Sequence, residues 1–180
     1  MFTTIEYLRA GTARQIDTYG AITRLGILER LSDYRPVLCG TIPIGIDIED
    51  SDLDIIMEVH DAERFLAIVC REYGHLSDFK TAQLKVRDVP TVTANFRYDG
   101  FEFELFGQPV QVKAQHAYRH MMIEHLLLAA RPGLKETILQ LKRQGMKTEP
   151  AFALALGLAG DPYEALLRYG EEAGLAGNSE

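Results

Sequence analysis

The dipeptide Asp99-Gly100 lies between two runs with strand character, and it is the strongest short hairpin signal in this chain. Asp-Gly pairs are typical of the two-residue turns that join antiparallel strands. The flanking runs are VTANFRY at 92–98 and FEFELFG at 101–107. In the second run Glu102 and Glu104 alternate with apolar residues. The sequence therefore predicts a hairpin whose second strand has one very apolar face and one purely acidic face.

The rest of the chain predicts an α+β half followed by a helical half. Apolar residues recur every three or four positions in the helical segments, and short apolar runs bounded by turn residues mark strands. Before the hairpin, the predicted elements are a helix at 12–31, strands at 36–40 and 52–59, and a helix at 62–73. After it, helices are predicted at about 113–130, 134–144, 149–158 and 162–169. We accordingly expect an α+β domain at 1–112 and a C-terminal helical subdomain at 113–180 packed against it.

Acidic residues are concentrated in one short stretch. The chain of 180 residues has 26 Asp and Glu against 19 Lys and Arg, a formal net charge of −7. Between Thr41 and Glu63 there are eight acidic residues and no Lys or Arg, so the rest of the chain is close to neutral. A clustered negative field repels bare nucleic acid and attracts cations. The composition, 47% hydrophobic and 25% charged, is otherwise that of a globular protein and excludes a disordered chain.

Targeting and membrane-spanning segments are not recognisable in the sequence. The N-terminal residues lack the charged start and apolar core of a signal peptide, and the longest apolar runs are too short to cross a bilayer. Cys39 and Cys70 lie in apolar runs without the spacing of a disulfide framework or a zinc site, which predicts buried free thiols. We therefore expect a cytoplasmic protein with no membrane partner.

The best candidate site begins where the strand at 36–40 ends. Gly40 allows the backbone to approach a ligand closely, and Thr41 offers a hydroxyl and an N–H. Asp52 and Asp54 follow, and on a strand this spacing points both carboxylates to the same side. Two such carboxylates repel each other unless a cation lies between them, and paired oxygen ligands suit Mg²⁺. The alternative interpretation is a solvated strand face.

Glu102 and Glu104 form a second acidic pair. If their strand pairs beside the aspartate strand, with both apolar faces toward the same helices, three or four carboxylates converge on the opposite face. Like charges directly across a sheet are destabilising, so this arrangement favours a bound metal. The alternative is an edge strand that its charges protect from pairing with another chain.

These residues resemble the pattern of the DNA polymerase beta-like nucleotidyltransferases, in which an apolar strand, Gly-Ser or Gly-Thr, an Asp-apolar-Asp strand and a later acidic residue follow one another. The matching parts are Gly40-Thr41, Asp52-Leu53-Asp54, and Glu102 or Glu104. Nearly the whole chain is similar to an uncharacterised bacterial family of that superfamily; the segments concerned include GTIPIGIDIEDSDLDI, FELFGQPVQVKAQHAYRHMMIEHLLL and LKRQGMKTEPAFALALGL. The resemblance implies a nucleotidyltransferase-like fold, with a small mixed β-sheet and a C-terminal helical subdomain that hold the ligand between them.

The chain departs from the superfamily pattern at two positions. Thr41 stands where Ser is more frequent, and it keeps the hydroxyl. The third carboxylate of the superfamily is usually a single Asp, whereas here Glu102 and Glu104 both qualify. Glu104 is preferred because its apolar neighbours, Phe103 and Leu105, match the pattern.

The resemblance implies two-metal transfer of a nucleotidyl group from a nucleoside triphosphate, such as ATP, with Mg²⁺ or Mn²⁺. Asp52 and Asp54 would hold metal against the triphosphate. The third carboxylate would bind a second metal and orient or deprotonate the acceptor as pyrophosphate leaves. Gly40, Thr41 and Ser51 would contact the phosphates. The bases that could neutralise the remaining charge are Lys80, Lys85, Arg87 and Arg97, and the alternative for each is a solvated surface position.

The helix at 113–130 carries polar residues on one face. His116, His120 and Glu124 recur at i, i+4 and i+8, but three ligands in successive turns span too much of a straight helix to hold one ion. Gln115, His120 and Glu124 are therefore predicted as a candidate substrate cleft, and the alternative is hydrogen bonding to a neighbouring strand.

The acceptor of the implied reaction is predicted to be a small molecule or a protein. The acidic balance and the lack of an aromatic-basic stripe argue against a long nucleic acid, while a tRNA end stays open. Two other classes of function also stay open. One is a non-catalytic nucleotide- or partner-binding module, like an antitoxin subunit, and the other is a metal-dependent hydrolase that uses His116, His120 and the acidic strands. Lys147, at a predicted helix start, has a candidate substrate role.

Overall fold

A computed structural model describes residues 2–175 and contains a five-stranded sheet flanked by helices. The strands are β1 (Val37–Cys39), β2 (Leu53–Glu58), β3 (Ser77–Val86), β4 (Val89–Tyr98) and β5 (Phe101–Gln108). The helices are α1 (Ala13–Leu25), α2 (Ile27–Arg30), α3 (Ala62–Tyr73), α4 (His116–Ala130), α5 (Leu134–Arg143), α6 (Thr148–Leu156) and α7 (Pro162–Glu172). Short 3-10 helices lie at Glu6–Ala10, Ser32–Tyr34 and Val112–Ala114. Across the described residues, no helix is both long enough and apolar enough to cross a membrane.

The strand order in the sheet is β1-β2-β5-β4-β3. β2 and β5 are parallel, and the other neighbouring strands are antiparallel. Asp54 lies opposite Glu104 in the parallel pair, and Glu104 lies opposite Asn95 in the hairpin. Because register partners point to the same side of a sheet, the acidic faces of β2 and β5 coincide. The predicted hairpin is confirmed. β5 lies between β2 and β4, so the condition for the carboxylates to converge is met and the alternative of an edge strand is wrong.

Three features differ from the sequence-based expectation. The helix predicted at 12–31 is interrupted at Gly26, so α1 and α2 replace one continuous helix. β3 has no counterpart in the prediction, because nearly all of its side chains are exposed and it therefore lacks an apolar alternation. Cys70 is exposed, whereas Cys39 is buried as expected. The buried stripe of α3 runs through Phe65, Val69 and Tyr73, and Cys70 lies beside it.

Apolar residues form cores on both sides of the sheet. On one face the strands pack against α1 and α3. On the acidic face, Ile56 and Phe106 of the sheet pack against Met121 of α4. A further core joins the C-terminal helices to Ile46, in the loop between β1 and β2. The predicted domain boundary falls inside the 3-10 helix Val112–Ala114 and stays a prediction, and the last five residues of the predicted subdomain lie outside the described residues.

Candidate active site

Three carboxylates from two strands meet on the face of the sheet that α4 partly covers. Asp54 in β2 lies opposite Glu104 in β5, and Asp52 immediately precedes β2. One carboxylate oxygen from each residue lies within 4.8 Å of the other two. The i, i+2 spacing of the aspartates and the parallel register of the strands together produce this cluster. Asp52, Asp54 and Glu104 are called the carboxylate triad below.

Gly40 follows β1 directly beside the triad. It has a φ of 79°, a backbone conformation that residues with a side chain rarely adopt. A Cβ atom at this position would overlap Asp54 Oδ2. The sequence predicts that the missing Cβ lets a ligand approach, whereas the carboxylate of Asp54 occupies that space. Gly40 is therefore required by the packing of the triad itself.

The loop after Gly40 is closed by its own hydroxyl groups. The Ser51 hydroxyl accepts a hydrogen bond from the Ile48 amide at 2.9 Å, and the Thr41 hydroxyl donates to Ser51 Oγ at 3.3 Å. These contacts bring both predicted phosphate-contacting hydroxyls together at the edge of the triad.

Helix α1 holds the same loop from outside. The Arg14 guanidinium donates to the Ser51 carbonyl oxygen, and the Gln15 amide donates to the Ile42 carbonyl oxygen, each at 2.8 Å. The Gln15 side chain also accepts from the Thr12 backbone N–H and completes a capping box at the start of α1. One end of α1 therefore fixes both its own cap and the loop that leads to Asp52.

Burial and mutual repulsion disfavour full ionisation of the triad. Burial, followed by the charges of Asp52 and Glu104, raises the pKa of Asp54 to about 8. Burial and the charge of Asp52 also raise the pKa of Glu104, although a hydrogen bond from Asn95 favours its charged form. No cationic side chain in the described part of the chain forms an ion pair with a triad residue. The triad therefore retains a proton near neutral pH that a divalent cation can displace.

The triad lies in the wall of a cleft of about 580 Å³ between the sheet and the C-terminal helices. α4, α5 and the residues around the start of α6 supply most of the opposite wall. Polar side chains reach the cleft from this wall at His120, Glu124, Lys142, Lys147, Thr148 and Glu149. The structure thus brings together nine of the predicted site residues: Gly40, Thr41, Ser51, Asp52, Asp54, Glu104, His120, Glu124 and Lys147.

Lys142 is a cleft residue that the sequence analysis missed. It is only 6% exposed, and its Nζ donates to the Ile46 carbonyl oxygen at 2.8 Å. Burial lowers the pKa of Lys142, while Glu124 and several more distant carboxylates raise it. Leu134, Ile138 and Lys142 form the buried i, i+4, i+8 stripe of α5. In the sequence, Lys142 could have been recognised as a buried residue because it continues an apolar i, i+4 stripe.

The polar residues of α4 have specific partners. His120 Nε2 lies 2.9 Å from the carbonyl oxygen of Tyr163 in α7, and its Nδ1 lies 3.7 Å from Glu149 Oε1. Glu124 is buried, and burial raises its pKa to about 8, with a further contribution from Glu149. Within the described residues, the triad is the one group of three or more acidic, His or Cys side chains placed to share a metal ion, so His116 and His120 do not belong to such a cluster.

Glu102, Arg97 and Lys80 do not line the cleft. Glu102 lies closer to the hairpin turn and pairs with Arg97, with Arg97 Nη2 at 2.9 Å from Glu102 Oε2. Arg97 also contacts Asp78. Lys80 is exposed on β3, where it is in register with Asn95. Between the two candidates for the third carboxylate, the geometry favours Glu104.

Gln115, Arg87 and Lys85 also lie away from the triad. The Gln115 amide donates to the carbonyl oxygens of Met57 and Val110, at 2.8 and 2.9 Å. Arg87, at the turn between β3 and β4, forms an ion pair with Glu164 of α7. Lys85 is exposed on β3.

The chain belongs to the family described as a domain of unknown function, DUF4269, whose model matches residues 20–169. This confirms the predicted membership in an uncharacterised family. No curated protein matches the chain.

Solved structures of nucleotidyltransferases share the fold. Cid1, described as having RNA terminal uridylyl transferase activity, matches with a TM-score of 0.54 at 14% identity over 73% of this chain and 41% of its own. The polymerase core of TRAMP, an RNA surveillance complex, matches with a TM-score of 0.53 at 12% identity, over 86% of this chain and 48% of its own. The Cid1 poly(U) polymerase with MgGTP bound matches with a TM-score of 0.52 at 15% identity, over 70% of this chain and 40% of its own.

The chain spans less than half the length of these proteins. At such low identity the likeness establishes the fold alone. The predicted fold, a small mixed sheet of nucleotidyltransferase type with a C-terminal helical region, is confirmed.

Proposed function

We propose that this member of the DUF4269 family is a Mg²⁺-dependent nucleotidyltransferase that moves a nucleotidyl group from a nucleoside triphosphate to a small-molecule or protein acceptor. The carboxylate triad carries this proposal, because three carboxylate oxygens lie within 4.8 Å of one another at the edge of a cleft. The nucleotidyltransferase-like fold supports it.

The triad fits a divalent cation in its chemistry. All of its donor atoms are carboxylate oxygens, the ligands that Mg²⁺ and Mn²⁺ prefer. Burial raises the pKa of Asp54 and so disfavours its ionisation without a cation, and the triad forms no ion pair with a described cationic side chain. When bound, the metal would neutralise charge on the triphosphate and on the departing pyrophosphate.

The phosphates of the nucleotide fit the side of the cleft that holds Gly40. There the Thr41 and Ser51 hydroxyls lie together, and Gly40 lines the cleft beside Asp54. Lys142 and Lys147 are the two basic residues of the cleft lining. Their positive charge would attract the triphosphate from the helical wall.

Glu104 lies on the other side of the triad, toward β4. There it serves as the general base that takes the proton from the acceptor hydroxyl. Burial and the charge of Asp52 raise the pKa of Glu104, which favours uptake of a proton by this carboxylate. In the transfer, the acceptor oxygen bonds to the α-phosphorus and the bond from that phosphorus to pyrophosphate breaks. The acceptor proton passes to Glu104.

Transfer of label from nucleotides labelled on the α-phosphate tests the proposal. The purified chain is incubated with Mg²⁺, each of the four nucleoside triphosphates in turn, and a cell extract that supplies acceptors. We expect one nucleotide to label an acceptor, and slow transfer to water without the extract. Asp54→Asn should lower both rates about 100-fold or more, because it removes a charge at the centre of the triad.

Glu104→Gln and Glu102→Gln form a matched pair for this assay. Both residues lie on the same face of β5, but Glu102 is partly exposed and pairs with Arg97 outside the cleft. We expect transfer to fall with Glu104→Gln and to persist with Glu102→Gln. Labelling that survives the double change of Asp52 and Asp54 to Asn would exclude the triad as the metal site. Tight nucleotide binding without transfer to any acceptor or to water would instead favour a non-catalytic binding module.

A further inference from the structure

A second cavity, of about 310 Å³, adjoins the cleft near the end of β5. The two spaces meet at four shared residues: Ala117, His120, Glu149 and Tyr163. Phe106 lines the cavity two residues after Glu104, on the same face of β5. The cavity therefore lies on the β4 side of the triad, whereas Gly40 lies on the β1 side.

Gln115 lines this cavity and carries an unpartnered acceptor. The side chain is 2% exposed, and its Nε2 donates to two backbone carbonyl oxygens, those of Met57 and Val110. Carbonyl oxygens only accept, so the amide cannot be reversed without losing both bonds. Its Oε1 is buried and has no hydrogen-bond partner within the described residues. A buried acceptor of this kind is satisfied by a ligand that brings a donor.

Two histidines extend this polar lining. His116 Nδ1 is buried and lacks a partner in the described part of the chain. His120 Nε2 carries the ring proton because it faces the Tyr163 carbonyl oxygen, so Nδ1 of the neutral ring is an acceptor. Burial lowers the pKa of both histidines and so favours their neutral rings. Gln115 and His120 thus supply acceptors, and His116 can accept as well.

The rest of the lining limits the charge and shape of a ligand. Val86, Val89 and Phe106 give the cavity an apolar side. Arg87 is already paired with Glu164 and lies over the Tyr163 ring. The adjoining cleft has six acidic residues and two lysines, so an additional anionic group would meet a negative field. A neutral or cationic molecule with donors and one apolar face is the complementary ligand.

From this lining we infer that the cavity is the acceptor site, and that the acceptor is a small hydroxyl-bearing molecule, neutral or with an amine, that lacks phosphate. The assignment of this cavity as the acceptor site depends on the proposed transfer reaction, whereas the inference that the cavity binds such a molecule does not. A molecule held there approaches the triad from the Glu104 side. Its hydroxyl would lie toward the carboxylate proposed to take the proton, and its amine toward Glu149.

Histidine nitrogen NMR on the metal-free, nucleotide-free protein tests the site directly. The chain has five histidines, and His60, His75 and His125 line neither the cleft nor this cavity, so they serve as internal controls. The probes are glucosamine, ethanolamine and myo-inositol, compared with glucose 6-phosphate and an RNA tetranucleotide. We expect at least one of the first three to shift the ring nitrogens of His116 and His120 saturably. For so small a contact, the expected Kd is on the order of 1–10 mM.

His116→Phe and His75→Phe are matched substitutions for this experiment. His116→Phe should weaken binding of the active probe at least about tenfold, while the His120 signal still reports the site. His75 is exposed in the turn before β3, and its replacement should leave the Kd unchanged. Stronger saturable shifts from glucose 6-phosphate or the tetranucleotide would overturn the inference, as would no saturable shift from any of the three uncharged or amine probes.

Mn²⁺ binding to the same samples separates this inference from the proposed function. His116→Phe should still bind Mn²⁺ at the triad. Absence of probe binding in a protein that binds Mn²⁺ and transfers label would overturn the acceptor site alone. Probe binding in a protein that fails to transfer from any nucleotide would overturn the proposed function and keep the binding site.

Discussion

Gly40 follows β1 and Asp54 lies in β2, and the Asp54 carboxylate occupies the space that a Cβ atom at Gly40 would need. The turn residue and the aspartate were each identified in the sequence from their own patterns, Gly-Thr after a strand and Asp-apolar-Asp. Their contact depends on the register of β1, a strand of three residues, against β2. So short a strand has no alternation from which register could be predicted.

Gly40→Ala and Gly100→Ala form a pair that isolates this contact. The two glycines have nearly the same φ, 79° and 81°, but a Cβ at Gly100 meets nothing within 4 Å. Each change should lower the free energy of unfolding by about 1–2 kcal/mol through backbone strain. Only Gly40→Ala should also displace Asp54 and weaken Mn²⁺ binding tenfold or more. Urea unfolding and Mn²⁺ titration measure the two effects, and equal Mn²⁺ affinity in both variants would refute the contact's role.

Glu124 gives a pH dependence of stability with a defined sign. Its pKa is about 8 in the folded protein, against about 4.3 in an unfolded chain. Between about pH 4.3 and pH 8 the Glu124 carboxyl is protonated in the folded protein and ionised in the unfolded chain. Its contribution to the free energy of unfolding therefore falls as the pH rises toward 8, and the folding equilibrium constant falls by at most about tenfold per pH unit. Glu124→Gln removes this pH-dependent contribution to the free energy of unfolding. The variant should therefore gain stability relative to the parent from pH 5 to pH 8.

Chemical unfolding at several pH values measures this difference. The other titrating groups are common to both proteins, so their contributions cancel in the comparison. Glu136→Gln, at an exposed position of α5, is the control and should follow the parent. A difference between Glu124→Gln and the parent that does not change with pH would show that Glu124 is ionised in the folded protein.

The loop from β1 to β2 contains no regular element of its own, and neighbouring elements hold it. α1 contributes Arg14 and Gln15, and α5 contributes Lys142. Periodicity in the sequence located both helices, but it carries no information on which polar side chain reaches a distant carbonyl. The edge strand β3 escaped prediction for a related reason, since exposed side chains on both faces remove the alternation that marks a strand.

Gln15→Glu and Thr12→Ala separate the two roles of the N-terminus of α1, which are to cap the helix and to anchor the β1–β2 loop. Gln15→Glu keeps an acceptor for the Thr12 N–H but removes the donor to the Ile42 carbonyl oxygen. We expect it to loosen the loop and lower Mn²⁺ affinity several-fold. Thr12→Ala removes the cap and should cost about 1 kcal/mol of stability without a comparable change in affinity. Calorimetric Mn²⁺ titration and urea unfolding read out both variants, and unchanged Mn²⁺ affinity in Gln15→Glu would contradict the anchoring role.

The whole molecule places an acidic sheet face under helices that supply Lys142 and Lys147. The acidic stretch, the β4–β5 hairpin and the order of the elements other than β3 were predictable, because each depends on local pattern. The pairing of β2 with β5 joins residues far apart in the sequence, and there it was only a condition. The orientation of the C-terminal helices was not predictable, since it depends on the packing of side chains such as Ile46 and Ile138 across long sequence separations. The second cavity, which exists only through that packing, was therefore absent from the sequence analysis.

Metal binding should couple the stability of the whole chain to pH. Because the pKa of Asp54 is raised to about 8, the metal-free protein loses stability from this group as pH rises from about 4 to 8. Mn²⁺ competes with the retained proton, so its affinity should increase over the same range. At a concentration 100 times its Kd, it should stabilise the fold by about 2.7 kcal/mol, which corresponds to a rise in Tm of roughly 5–10 °C.

Thermal unfolding with and without Mn²⁺ at pH 6 and pH 8 measures this coupling. The rise in Tm at one fixed Mn²⁺ concentration should be larger at pH 8, and EDTA should reverse it. Asp54→Asn should remove most of the rise at both pH values, whereas Glu102→Gln should keep it because Glu102 pairs with Arg97 outside the cleft. An equal rise in Tm at the two pH values would mean that Asp54 gives up no proton when the cation binds.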